Sequence, residues 1–544
     1  MKASDLLIKC LEADKVEYIF GIPGEETLDL MESLKYSNIK FITTRHEQGA
    51  AFMANVYGRL TGNAGVCLAT LGPGATNLIT GIADANLDRA PVVAITGQTR
   101  LEETHKESHQ YIDIATIFKS ITKWNHTIEL ASAIPEIVRK AFKIAETEKP
   151  GATHIEVPCD VAREEVNGKP LPHLMARRPA PDRDSLVEAA RLIEASEYPI
   201  ILAGNGVIRG HAEEELKEFA EQLKIPVTTT FMGEGAIPYN NEYSLLSIGL
   251  QERDYVYCGF EHSDLVIAVG YDFVEYAPSY WNPYCNKKVI HIDSTTSEVD
   301  INYPSTVEII ADIKISLQLL RQHVKKTKDF NYVKTLRKFI IKAINEKSDS
   351  IEYPIKPQKI IHDVRKVMGK EDILISDVGA HKIWIARMYH VYKPNTVIIS
   401  NGYSSMGIAI PGALAAKLIY PEKNIMAVCG DGGFLMSSQE LETAVRLKLP
   451  FVTLIFNDGQ YGLIKWKQLK RFGREFGVSF NNPDFVKYAE AFGAKGYRVE
   501  KTQDLVPIME DALNQKVPSI IDVPVDYSEN LKLTEKLGKI ICPI

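Results

Sequence analysis

Apolar runs of four to six residues alternate with longer stretches of helical periodicity along almost the whole chain. That alternation predicts an α/β fold in which parallel sheets are covered by helices. Runs at 16–20, 40–43, 65–70, 92–96 and 154–157 predict a first set of strands, and runs at 199–203, 227–230, 265–269 and 289–292 a second. A third set is predicted at 373–376, 397–400, 424–429, 451–456 and 520–523. Segments 47–60 and 434–447 carry the 3.6-residue pattern of helices. Ala176-Arg177-Arg178-Pro179-Ala180-Pro181 reads as a linker, and the charged stretch 322–359, with Pro354 and Pro357 near its end, marks a second boundary. The segments are therefore set at 1–170, 182–325 and 355–544. No internal sequence repeat is evident.

Composition narrows the class. At 544 residues the chain exceeds the roughly 250 to 300 that one core usually holds, so several domains are expected. With 45% hydrophobic and 24% charged residues, disordered and fibrous classes are excluded. A net charge of −7 without long runs offers no basic footprint, so no nucleic-acid partner is expected. The seven cysteines (10, 67, 159, 258, 285, 429 and 542) show no spacing that suggests zinc or a disulfide framework. The first residues are amphipathic with early acidic positions, unlike a targeting peptide, and no apolar run approaches a membrane span. A reducing cytoplasm, with no membrane partner, is the expectation.

Candidate chemistry is concentrated near the C-terminus. Asp431 lies in a Gly430-Asp431-Gly432-Gly433 turn between the predicted strand 424–429 and the predicted helix, and Asp458 follows the next strand in Asn457-Asp458-Gly459. Both aspartates then stand at one sheet edge, and Gly432 and Gly433 let backbone N–H groups approach phosphate oxygens. Mg²⁺ takes such hard oxygen ligands and is commonly shared with phosphates. Two ordinary Asx-Gly turns are the alternative. Gly204-Asn205-Gly206-Val207-Ile208-Arg209-Gly210 lacks the G-x-G-x-x-G pattern of nicotinamide enzymes and reads as a structural turn.

The segment 430–458 resembles the metal and diphosphate motif of thiamine diphosphate-dependent enzymes, which begins GDG and ends NN or ND. Arg45-His46-Glu47-Gln48-Gly49-Ala50-Ala51 and Leu71-Gly72-Pro73-Gly74-Ala75-Thr76-Asn77 resemble the family's activating-glutamate and pyrimidine-side segments. The resemblance implies three doubly wound parallel-sheet domains, pyrimidine-binding, central and diphosphate-binding. It implies that Glu47 bonds a ring nitrogen of the cofactor; a helix-dipole role in the first turn is the alternative. Met406 would wedge beneath the two rings, or be a core gap filler, and the Ser404 carbonyl would accept from the exocyclic amine. Gly379-Ala380-His381 resembles the loop on the other side of the diphosphate, although His381 could be a surface residue. Asp431, Asp458 and the Gln460 carbonyl would ligate Mg²⁺. Pro23, Pro73, Asn77, Gly432, Gly433, Tyr461, Gly462, Leu463 and Ile464 complete the implied cofactor contacts. Since the glutamate and the metal site come from different subunits in this family, a homodimer is the smallest active unit implied, with a homotetramer common among relatives.

Within the family, Gly270-Tyr271-Asp272-Phe273-Val274-Glu275-Tyr276-Ala277-Pro278, Trp384-Ile385-Ala386-Arg387 and 440–446 are similar to acetolactate synthases of the flavin-independent, catabolic kind. No FAD is expected, because the stretches by which relatives hold it are missing. The resemblance implies pyruvate and other small 2-oxoacids as substrates: one pyruvate loses CO₂ and its remaining two carbons join a second. His109-Gln110 matches the active-site Gln segment, with a surface histidine as the alternative for His109. One departure is Glu25, a carboxylate where synthases carry a small or neutral residue. A positioned acid could instead protonate the two-carbon unit and release an aldehyde, as in 2-oxoacid decarboxylases. Ile464 opposes that reading, standing where those enzymes have a second glutamate. A noncatalytic homologue is a third reading, disfavoured by the joint presence of Glu47, Asp431 and Asp458.

Overall fold

A computed structural model describes residues 1–174, 176–249, 254–329, 331–537 and 540–543. Among these, three six-stranded parallel sheets form. The first comprises β1 Tyr18–Gly21, β2 Lys40–Thr43, β3 Gly65–Ala69, β4 Val92–Gln98, β5 Trp124–Thr127 and β6 Ala152–Pro158, in the order β2-β1-β3-β4-β6-β5. The second comprises β7 Pro199–Ala203, β8 Val227–Thr229, β9 Ser244–Ser247, β10 Leu265–Val269, β11 Lys288–Asp293 and β12 Ser305–Ile310, ordered β12-β11-β10-β7-β8-β9. The third comprises β13 Ile373–Ser376, β14 Val397–Ile399, β15 Ile425–Gly430, β16 Val452–Asn457, β17 Lys495–Arg498 and β18 Ser519–Pro524, ordered β14-β13-β15-β16-β18-β17. The first and third sheets thus share one winding, and the central sheet has another.

Every strand expected from an apolar run is present. The unexpected ones, β5, β9, β12 and β17, all lie at sheet edges. An edge strand has one neighbour and an open side, so it need not be wholly apolar: β5 reads Trp-Asn-His-Thr and β17 Lys-Gly-Tyr-Arg. The helix expected over 434–447 is two helices, Asp431–Ser437 and Glu440–Arg446. At the break, Ser437 Oγ donates to the Gly407 carbonyl (2.7 Å), and Ser438 Oγ bonds the Tyr488 hydroxyl (2.8 Å). The turn expected at 204–210 contains a short helix, Asn205–Arg209, closed against Gly270. Helix Asn331–Ile344 lies inside the stretch read as a boundary, and its buried Val333, Leu336 and Ile340 join the central core.

The first and third sheets are coupled within the chain. Helix Glu47–Thr61 packs on helix Ala409–Ile419, and their apolar faces share one core. Gly412 permits the approach, since a Cβ there would meet Val56 Cγ2 at 3.0 Å; filling that space would cost about 1–3 kcal/mol. Buried Arg59 pairs with Asp88 at 3.5 Å and donates to the Ile399 carbonyl at 2.8 Å. The central domain is tied on by Arg89–Asp272 (2.7 Å) and Arg387–Asp254 (3.2 Å).

Against the expectation of no disulfide, Cys258 and Cys542 are bonded, across a sequence separation of 284. The pair joins helix Tyr255–His262 to the segment after helix Ser528–Leu537, so only the tertiary fold brings it together. Among the described residues no helix is long and apolar enough to cross a membrane.

Candidate active site

A cavity of about 170 Å³ opens at the carboxyl edge of the third sheet. In doubly wound sheets ligands bind at this edge, where strand order reverses and neighbouring loops diverge. Four loops line it: Gly379, Ala380 and His381 after β13; Ser404 and Met406 after β14; Asp431, Gly432 and Gly433 after β15; and Asp458 with Gln460, Tyr461, Gly462, Leu463 and Ile464 after β16. These are the residues that the sequence nominated in this segment, now on one wall. A larger cavity of about 530 Å³ lies between the first and central domains, and no nominated residue lines it.

Asp431 begins its helix and is held by four donors. Its Oδ1 accepts from Gly432 N (2.9 Å), and its Oδ2 from Gly459 N (2.6 Å), Asp458 N (3.1 Å) and Asn482 Nδ2 (2.8 Å). Those bonds fix the loop after β16 against the loop after β15. Burial raises the Asp431 carboxyl despite them. Burial, and then the charge of Asp431, pushes Asp458 up to about 7. A buried Asp431 carboxylate crowded against a partly buried Asp458 is short of positive charge, which is a donor set suited to a hard divalent cation. The Gln460 carbonyl accepts from Gly462 N at 2.9 Å and keeps a second lone pair. At Gly432 a Cβ would come within 2.8 Å of the Tyr461 ring, so a side chain would narrow the cavity.

His381 is not at the surface. It is 1% exposed, its ring fills the space beside Gly379 and Gly430, and burial pushes it down to about 3. Its Nε2 is buried with no hydrogen-bond partner among the described residues, a neutral imidazole nitrogen beside the cavity. Met406 is only partly buried and lines the cavity. Ile464 is 50% exposed at the rim.

The nominated residues of the first segment occupy the carboxyl edge of their own sheet and do not line this cavity. Pro23 and Glu25 follow β1 and are exposed; Glu47 follows β2; Pro73 and Asn77 follow β3; His109 and Gln110 follow β4 and are exposed. Glu47 is buried in the first turn of its helix, where its Oε2 accepts from Asn77 Nδ2 at 3.0 Å. The preceding backbone is anchored from the third domain: Glu440 Oε1 accepts from Arg45 N (3.0 Å) and His46 N (3.1 Å). The backbone of Gln110 closes over Gly72, where a Cβ would lie 2.8 Å from its carbonyl oxygen.

Several site residues were not nominated from sequence. Asn482 bridges Asp431 to Asn457, and Phe456 and Tyr527 complete the wall. Asp377, fully buried after β13, accepts from Val378 N and Gly407 N. It was within reach, because it ends its strand as Asp431 and Asp458 end theirs.

Family models match along the chain: the thiamine pyrophosphate enzyme N-terminal TPP binding domain over residues 1–117, the central domain over 186–320 and the C-terminal TPP binding domain over 377–523. The chain belongs to the thiamine pyrophosphate enzymes. Its cavity lies in the C-terminal TPP binding domain, and Glu47 in the N-terminal one. Among relatives of this family, the chain is 35% identical to an acetolactate synthase of Bacillus subtilis (strain 168), over 99% of this chain and 96% of that protein. It is 34% identical to a catabolic acetolactate synthase of Raoultella terrigena (98% and 97% covered). It is also 32% identical to the putative thiamine pyrophosphate-containing protein YdaP of Bacillus subtilis (96% and 91% covered).

Proposed function

We propose that this thiamine pyrophosphate enzyme is an acetolactate synthase, which decarboxylates one pyruvate and joins the remaining two carbons to a second. The observation that carries this reading is similarity over nearly the full chain to relatives that include a catabolic acetolactate synthase. When bound, thiamine diphosphate supplies a carbon nucleophile that adds to a 2-oxoacid and stabilises the charge left when CO₂ departs. The chain's residues bind and orient it. Asp431, Asp458 and the Gln460 carbonyl would hold Mg²⁺, and the backbone at Gly432 and Gly433 would leave room for phosphate oxygens. The Ser404 carbonyl and Met406 set the orientation of the rings. Glu47, oriented by Asn77, would be the carboxyl that shares a proton with the pyrimidine ring. No flavin takes part.

The working unit is a homodimer, or a homotetramer built of two such dimers, in the cytoplasm. Two features support a partner copy over the cavity. Glu47 and its neighbours lie outside the cavity that their chemistry requires. Tyr461 and Ile464 at the cavity, and Tyr403, Met436, Phe472 and Phe476 elsewhere in the same domain, are exposed, and helix Gly462–Phe472 buries none of its residues within one chain. A second copy would cover that apolar surface and bring its own Glu47 to the cavity.

Glu25 favours one alternative, a 2-oxoacid decarboxylase, because its carboxylate is exposed at the carboxyl edge of β1. Incubating the purified protein with pyruvate, thiamine diphosphate and Mg²⁺, without FAD, separates the two by NMR of the product. Acetolactate is expected. Acetaldehyde would replace this reading with the decarboxylase, and no turnover would point to another 2-oxoacid or to a noncatalytic role.

A further inference from the structure

The loop 400–407, between β14 and helix Ala409–Ile419, carries Ser404 and Met406 to the cavity. Ser404 holds a φ of 60°, a left-handed conformation that residues with a Cβ rarely adopt. Such a conformation persists only where its surroundings over-determine it. Here they do. From the first domain, Asp84 Oδ1 accepts from Ser400 Oγ (2.7 Å) and Ser405 N (3.2 Å), and Asp88 Oδ1 from Gly402 N (2.7 Å). Gly407 N donates to Asp377 at 2.8 Å, and Asn401 Nδ2 to the Glu275 carbonyl of the central domain at 2.7 Å. Both flanks of Ser404 are thereby fixed.

The Ser404 side chain is held by another group. Lys382, next in sequence to the cavity-lining His381, is 5% exposed. Its Nζ donates to the Ser400 carbonyl (3.2 Å), Asn401 Oδ1 (3.0 Å) and Ser404 Oγ (3.1 Å). An ammonium has three N–H groups, and all three are directed at this one loop. We propose that Lys382 is a positioning residue of the cofactor site, whose ammonium locks the 400–404 turn so that the Ser404 carbonyl and the Met406 side chain are presented to the cavity. The proposal rests on the cavity being the thiamine diphosphate site.

The charge matters as well as the contacts. A neutral amine keeps two N–H groups, so the contact to Ser404 Oγ survives only if that hydroxyl turns its own proton to the amine and gives up its bond to the Asn401 carbonyl. Burial pushes Lys382 down to about 8. Asp88 and Asp84 from the first domain and Asp377 from the loop after β13 oppose that shift, and Lys467 on helix Gly462–Phe472 adds to it. The lock is therefore nearly complete at pH 7, half lost near pH 8 and mostly lost by pH 9.

Equilibrium dialysis of thiamine diphosphate, with Mg²⁺, onto apo protein at pH 7 and pH 9 tests this, with melting temperatures reporting that each variant is folded. Lys382→Met should bind about 10-fold more weakly than wild type at pH 7, the scale of one charge-assisted hydrogen bond, and wild type should lose about fivefold by pH 9 and come within about twofold of the variant there. Lys382→Arg, always charged, should show no loss between the two. Ser404→Gly offers a second comparison, because glycine takes the same φ unaided. In that background Lys382→Met should cost less than about threefold, an effect well under one such bond. An equal loss in both backgrounds, or Lys382→Met binding like wild type at both pH values, overturns the proposal. Should wild type itself fail to bind the cofactor, the reading of the cavity fails instead.

Discussion

The first and third domains are wound alike and use the same edge of their sheets, but they end in different surfaces. At the third, loops after β13, β14, β15 and β16 close on one cavity with two carboxylates. At the first, the loops after β1 and β4 leave Glu25, His109 and Gln110 exposed, and Glu47 is buried beside Asn77. Shared winding supplies the edge, and the loop residues decide its use. Under the reading proposed above, the third domain binds and the first activates, and each needs the other from a second copy.

The largest expected effect tests that division directly. Glu47→Ala should lower turnover about 10²-fold or more, the lower end of what a positioned proton-transfer group contributes, while saturable binding of thiamine diphosphate with Mg²⁺ persists. Asp431→Ala should do the reverse and abolish measurable binding. Co-expressing the two inactive variants should restore activity, since a mixed dimer regains one intact site. No recovery in purified mixed dimers would place both residues in one chain's site and break the comparison. Next in size, Asp458→Ala should weaken Mg²⁺-dependent cofactor binding about 100-fold. A chelator should reproduce that loss in wild type, and excess Mg²⁺ should reverse the chelator but not the substitution.

How much of this was legible depended on where each residue lies. Asp431 and Asp458 could be read because each ends a continuous apolar strand, and the sheet carries both to one edge. Glu47 was reached through the resemblance of 45–51 to the family's activating-glutamate segment, since a glutamate in a helix's first turn is otherwise a dipole partner. By contrast, β5 and β17 are edge strands whose polar composition hides them, and the apolar period of 434–447 runs through a turn of backbone bonds from Leu441 to Ser438 and Glu442 to Gln439 that the pattern does not mark. Lys382 sits in a helical run, and its role depends on a loop some twenty residues later in the chain. Cys258 and Cys542 are too distant for any local spacing to pair them. Sequence reveals groups placed by their own element more readily than groups placed by another.

The finest distinction lies in two asparagines. Asn77 Nδ2 orients Glu47 Oε2 at 3.0 Å, and Asn482 Nδ2 orients Asp431 Oδ2 at 2.8 Å, so each domain steadies its carboxylate with an amide from a later element. Removing an amide that orients a ligand or a catalytic carboxylate costs on the order of 10-fold, less than removing the carboxylate itself. Asn482→Ala should therefore raise the Mg²⁺ concentration needed for half-maximal cofactor binding about 10-fold, with kcat at saturating Mg²⁺ nearly unchanged. Asn77→Ala should leave that Mg²⁺ dependence alone and lower kcat by a similar factor. If both substitutions moved the same parameter, binding and activation would not be divided between the domains, and the two edges would have to be treated as a single site with redundant supports.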